Sequence, residues 1–411
     1  MARPNLKIEK QDGGLGRRDP NADMVTGIVM NAVGSADLTL NEIYTLNSIR
    51  DAEALGLNEA YDTDNEVLVF HRLLRMFIQN PSIIIYFMPV AQAVTLVDMA
   101  DKDMNYLAKL VRSKTDIVQV ALARNPEEAY VVTVANGLSD EVLPAVQLAQ
   151  DLVTAQFDKG RYFEVFIEGR NFTGTTAALV DLKALEDKAP DVSVVILADY
   201  DISQKRAAYF GYAAVEEFAA LVSKAAVSQN AGELIDTFNL TNRNEKVFLN
   251  AGLSSGKKIE EYSDSDLDLL DDKGFIFATS VAGIAGFFIV DTPTCTDNAS
   301  DYKFVENNRT IKKAIKLART ALLPRVKGRL YVDPDTGEIA PEDRKELEGL
   351  TIAALDPMLS DRDISGRVQA YIDPSQNVLA TSKLEVQLSF IPVAIGREIT
   401  LKIGFNNPIN N

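Results

Sequence analysis

Ser82-Ile-Ile-Ile-Tyr-Phe-Met88 decides the fold class. Seven residues are too few for a stable helix, and a β-rich run this continuously apolar is a strand covered on both faces. Val192-Ser-Val-Val-Ile-Leu-Ala198 has the same character, and Tyr162-Phe-Glu-Val-Phe-Ile167 is a third short β-rich run. Helical periodicity lies around and between them, over about 66–79, 141–157, 175–188 and 213–228. Strand and helix alternating at this spacing predict βαβ units, a mostly parallel sheet with flanking helices, and hence an α/β body. Phe275 to Val290 is a 16-residue uncharged apolar run, short for a bilayer span and broken by Gly283 and Gly286. It reads as two buried strands meeting at a turn. Beyond residue 300 the order becomes helix, helix, then three strands, the mark of a C-terminal α+β part ending in antiparallel strands. Leu384-Glu-Val-Gln-Leu-Ser-Phe-Ile391 and Glu398-Ile-Thr-Leu-Lys-Ile-Gly-Phe405 alternate at period two and read as a closing hairpin. The expected division is an extended arm (1–22), an α/β domain (23–300), a helix-helix-strand core (301–383) and a strand hairpin with a second extended arm (384–411).

Composition removes many functions. The chain has 411 residues, 46% hydrophobic and 25% charged, enough to bury a large core without metal or disulfide staples. A single cysteine (Cys295) excludes an internal disulfide and a zinc–thiolate cluster, and a single histidine (His71) excludes centres built on two histidines of one chain. With 42 Lys+Arg against 59 Asp+Glu the net charge is −17, a field that repels nucleic acid and anionic lipid. The N-terminus has no apolar core of signal-peptide length, so synthesis and folding are expected in a cytoplasm. His71 falls on an amphipathic helical pattern and reads as a core or boundary residue. Gly252-Leu-Ser-Ser-Gly-Lys-Lys258 fails as a phosphate loop, with three residues between its glycines and no Ser or Thr after the lysine. Asp264-Ser-Asp-Leu-Asp268 fails as a calcium loop, because Leu269 and Phe275 stand where glycine and glutamate are required. GxSxG, HExxH and CxxC are absent. The reading assigns no catalytic, cofactor-binding or metal-ligating residue.

Three stretches look outward instead. Leu6 and Ile8 alternate with Lys7 and Glu9, then run into Asp12-Gly-Gly-Leu-Gly16. The first twenty residues hold five bases and three acids on an otherwise acidic chain. A short alternating segment with no core of its own needs its backbone bonds satisfied elsewhere, and strand addition to a neighbour does that. Leu6, Ile8, Val386, Leu388, Ile399, Leu401 and Ile403 are therefore the candidate inter-subunit arm residues. The third stretch runs from Arg309 to Arg329, with eight bases and no acid. Arg309, Lys313 and Lys316 share one helical face, beside an apolar stripe of Ile311, Ala314, Ile315, Ala318 and Leu322. Either this is the solvated face of a packed helix, or it is a docking surface for an acidic partner.

Leu46-Asn-Ser-Ile-Arg-Asp-Ala-Glu-Ala-Leu-Gly-Leu57, followed by 67–77 and 83–88, resembles the N-terminal part of contractile tail sheath proteins. Asn308-Arg-Thr-Ile opening a helix, Gly366-Arg-Val-Gln-Ala-Tyr-Ile372 and Phe390-Ile-Pro…Glu398-Ile resemble their closing part. Residues 200–270 depart from the common phage pattern. The resemblance implies a structural, non-enzymatic subunit of a phage tail or injection machine, assembled in a bacterial host cytoplasm. It implies self-assembly as six-membered rings stacked helically around a tail tube, arms completing sheets in neighbours, contact with baseplate and tail terminator proteins, no direct nucleic-acid binding and no membrane insertion. It also implies contraction that drives the tube through a target envelope. A C-terminal helix lines the bore in that family, which makes Arg309, Lys312, Lys313, Lys316 and Arg319 the tube-facing candidates. Gly13, Gly14 and Gly16 are the hinge candidates, since glycine tolerates the largest φ/ψ changes. Two other classes stay open: an α/β enzyme of unknown substrate, distinguished by a pocket of converging polar groups, and another self-assembling shell, distinguished by flat sheets instead of tubes.

Overall fold

The computed structural model describes residues 23–128, 130–173 and 176–405. Leu6, Ile8, the three hinge glycines and the tail from 406 lie outside these.

Six strands build the main sheet: Val25–Asn31 (β1), Tyr44–Leu46 (β2), Ile84–Val90 (β3), Gln119–Ala123 (β4), Glu164–Glu168 (β5) and Val192–Val195 (β6). Their order is β2-β3-β1-β4-β5-β6. All neighbours run parallel except short β2, which caps one edge antiparallel to β3. The expected parallel sheet is present, with strands buried along almost their whole length. The central strand β1 was not among the expected ones. Thr26 and Gly27 interrupt its apolar run, and Gly27 is closely packed. A Cβ there would meet Leu110 Cδ2 at 3.0 Å and Val120 Cγ2 at 3.1 Å.

Helices Val69–Gln79 (α1), Val142–Phe157 (α2) and Val215–Lys224 (α3) occupy three of the four expected positions. The fourth, expected over 175–188, is not a helix among its described residues, 176–188. Two single 3₁₀ turns, Thr176–Ala178 and Leu182–Ala184, stand in its place. Its carbonyls are used elsewhere: Lys273 Nζ donates to the carbonyls of Thr176 and Ala177, at 3.0 Å each, and to that of Leu179. The Asp181 carboxylate accepts from the Lys183 amide, a local turn that competes with helix. The 192–198 run divides at Ile196, and Leu197–Asp199 (β7) pairs antiparallel with Ala251–Leu253 (β8). Phe275–Val290 folds into two strands meeting at a turn, Ala278–Val281 (β9) and Ile284–Ile289 (β10), with Gly283 and Gly286 at φ of 89° and 107°. The expected burial holds only at the ends away from the turn, since Ser280, Ile284 and Ala285 are exposed.

The second unit holds Val305–Leu322 (α4), Pro341–Ala353 (α5), Ile364–Tyr371 (β11) and Gln387–Pro392 (β12). Here the closing hairpin is corrected. β12 pairs antiparallel with β11, not with 398–405, and residues 393–405 belong to no strand. The reason is burial. Pairing with β11 lays Leu388 and Phe390 against Ala314, Leu355, Met358 and Ile364, cover that a hairpin with 398–405 lacks. One continuous core runs from Val25 to Val305, whereas the second unit has two small clusters, around Leu355 and Met358 and around Ile339, Leu347 and Ile372. Among the described residues no helix is long and apolar enough to cross a membrane.

Candidate interaction surfaces

The basic helix α4 is mostly turned inward. Arg309 donates through Nη1 to the carbonyls of Ala225 and Ala226, at 3.2 and 3.1 Å, and through Nη2 to that of Asp23 at 3.2 Å. Lys312 Nζ reaches Glu164 of β5 at 2.7 Å, Asp191 at 2.6 Å and the Phe163 carbonyl at 2.6 Å. Lys313 lies between Asp23 and Asp363, at 2.7 and 2.6 Å. Burial alone would lower both lysines, but the facing carboxylates hold them above the ordinary ammonium range. Burial also pushes Glu164 up to about 8, against the pull of Lys312. Arg309, Lys312, Lys313 and Lys316 share the lining of a cavity of about 30 Å³. The tube-facing expectation is thus corrected for Arg309, Lys312 and Lys313: they clamp the second unit onto the lower edge of the sheet. Lys316 is half-buried, and Arg319 is exposed against Gly160. The missed partners had one legible signal, a carboxylate (Glu164) opening the apolar run Val165–Ile167 of a buried strand.

At the opposite, carboxyl edge of the parallel strands lies the crevice where open α/β sheets bind ligands. Here it is filled with charge. Glu168, ending β5, accepts through Oε1 from Arg72 Nη2 at 2.8 Å, Arg170 Nη1 at 2.9 Å and the Ala213 amide at 2.9 Å. Its Oε2 accepts from the Arg124 amide at 2.5 Å. Arg72 also bonds Glu216 at 2.5 Å, and Arg75 pairs with Glu217. Asn31, ending β1, accepts from Arg124 Nη1 at 3.1 Å and from the Asn125 amide at 3.0 Å. All these side chains are buried. Burial pushes Glu217 up to about 7 and Asp62 up to about 6, the latter although three amides of α1 point at its carboxylate. His71, half-buried on α1, is pushed down to about 3 by burial and by the Arg75 guanidinium.

Among the described residues no group of three or more His, Cys, Asp or Glu side chains converges as a metal site. Asp264–Asp272 is a helix whose N-cap, Ser263, accepts from the Asp266 amide at 3.2 Å.

The arm candidates separate into two sets. Val386 and Leu388 turn towards the small clusters of the second unit, which corrects their assignment to an outgoing arm. Ile399, Leu401 and Ile403 are 90%, 76% and 84% exposed, an alternating apolar row left open among the described residues.

Comparison with known proteins places this geometry. The family model described as DUF2586, N-terminal domain, matches residues 3–293, and that described as DUF2586, C-terminal domain, matches residues 301–410. No curated protein sequence matches the chain. Among solved structures, it is similar to the helical sheath of the anti-feeding prophage in its contracted state, at TM-score 0.61 and 14% identity over 99% of this chain and all of that one. The contracted sheath complex of the PVC extracellular contractile injection system gives TM-score 0.58 and 11% identity over 100% and 99% of the two chains. The sheath tail protein of Listeria innocua gives TM-score 0.53 and 9% identity over 92% and 95%. The shared property is the fold.

Proposed function

The chain belongs to the DUF2586 family and has the fold of contractile sheath subunits, and on that premise we propose that it is a structural subunit of such a sheath. Copies stack as six-membered rings in a helix around a tail tube, linked by strand exchange, and contraction drives the tube through an envelope. The observation that carries this reading is the exposed row Ile399, Leu401 and Ile403, projecting from a unit with little core beside a body with a complete one. Three apolar side chains alternating in extended chain are a strand awaiting an edge. Such contacts are heterologous, so they propagate as a helix where the rotation does not close. The filled crevice supports a scaffold role as well, since charge there is spent on joining α1, α3 and β5. The other expected partners, the tube, baseplate and tail terminator proteins, come with this reading, as does a place in a phage tail or injection machine.

Of the tube-facing candidates on α4, Arg319 is the exposed one, and Arg325, Lys327 and Arg329 are exposed beyond its end. Arg319→Glu with Lys327→Glu is expected to weaken co-assembly on tubes at physiological salt while leaving the subunit folded. Unchanged co-assembly removes α4 from the tube contact. The function itself is tested by negative-stain microscopy of the concentrated protein, alone and with its tube. Hollow, cross-striated tubes are expected. Flat sheets, or particles that stay monodisperse with the tube present, overturn the reading.

A further inference from the structure

Residues 393–405 form no strand, yet Arg397 among them is held in place. Arg397 Nε donates to Asp291 Oδ2 at 2.7 Å, and its Nη2 donates to Asp291 Oδ1 at 3.2 Å and to Glu306. The guanidinium lies 3.4 Å from the centroid of the Phe304 ring. Two carboxylates in a fork and an aromatic face make a receptor for a planar cation, geometry that lysine does not reproduce. The receptor is itself built. Glu306 is buried, its Oε2 accepting from Thr292 Oγ1 at 2.5 Å and its Oε1 from Asn230 Nδ2 at 3.3 Å. Asn230 Nδ2 also donates to Asp291 at 2.7 Å.

Glu306 stands in the first turn of α4, and positions 306, 309 and 313 follow at i, i+3 and i+7 on one helical face. Arg309 and Lys313 hold Asp23, two residues before central strand β1 and immediately after the N-terminal arm. Arg397 of the C-terminal arm and Asp23, the first described residue after the N-terminal arm, therefore end on the same face of one helix. We propose that α4 is the shared anchor of both terminal arms, with Asp291, Glu306 and Phe304 acting as a guanidinium receptor for Arg397 of the same chain. Pull on either arm then reaches one helix, which Lys312 ties to β5 and Asp191. This mechanical consequence rests on the sheath reading, whereas the receptor does not.

Limited trypsin digestion of the full chain, followed by mass spectrometry, tests the receptor. Cleavage after Arg397 requires the side chain to leave its site, while Lys402 lies in the exposed row. The rate ratio of cleavage at 397 to cleavage at 402 is expected to rise about tenfold in the Asp291→Asn, Phe304→Ala double variant, because opening governs cleavage. An unchanged ratio overturns the receptor. For the mechanical part, the same variant is expected to need about tenfold more protein before tubes form, the factor by which a loosened root dilutes competent arms. An unchanged threshold overturns the shared anchor. If the unmodified chain forms no tubes while the cleavage ratio still shifts, the sheath reading fails and the receptor stands.

Discussion

The two units of this chain spend similar residues differently. In the α/β body, strands are buried along their length and charges are turned inward and paired around one continuous core. In the C-terminal unit, β11 alternates between covered and open positions, its apolar clusters are small, and the chain leaves it with apolar side chains in solvent. One closes on itself, and the other leaves an apolar edge open, which the sheath reading fills with a second copy. The seam between them is the row of ion pairs on α4.

The largest expected effect falls on that open edge. Removing residues 398–411 should abolish sedimentable polymer while leaving far-UV circular dichroism of the subunit unchanged; polymer that persists at the same concentration contradicts the division. Next comes the seam. Lys312→Glu removes the ammonium between Glu164 and Asp191 and buries a third carboxyl group there, which should cost about 3–5 kcal/mol of stability, as breaking a buried pair does. Arg319→Glu, on the exposed end of the same helix, should cost less than about 0.5 kcal/mol. Equal urea midpoints for the two variants would mean that α4 is a solvated helix after all.

The smallest effect is a pH slope. Between pH 6.5 and 8, His71 is neutral in the folded chain and loses its remaining half proton in the unfolded one, a small opposing contribution, and Asp62 is largely ionised in both. Glu217 and Glu164, raised to about 7 and about 8, still hold protons in the folded state that the unfolded chain has released. Folding is therefore favoured at the lower pH, and stability should fall by roughly 1–2 kcal/mol as pH rises across this window. Urea denaturation at the two ends measures it. Glu164→Gln should flatten the slope, and a slope of opposite sign would place these carboxylates in water.

The α/β body was legible because strands buried on both faces leave a local mark: 82–88, 162–167 and 192–198 needed no tertiary knowledge. Central strand β1 was not, since its Gly27 packs closely against Leu110 and Val120, residues far along the chain. The missing helix over 175–188 failed for the same kind of reason, its carbonyls taken by Lys273 about a hundred residues away. Period two in 384–391 and 398–405 correctly marked extended chain but left the partner open, and burial against Leu355 and Met358 chose β11 for the first of them. The basic run misled most. A sequence shows that charges cluster on one face, but not whether Glu164, Asp191, Asp23 and Asp363 stand opposite.

Amide hydrogen exchange over residues 398–405, in the free subunit and in the polymer, tests the incompleteness of the second unit most directly. The account predicts exchange near the rate of an unstructured peptide in the free subunit and strand-like protection in the polymer, strongest across Ile399, Leu401 and Ile403. Protection already present in the free subunit, or absent from both, would contradict it.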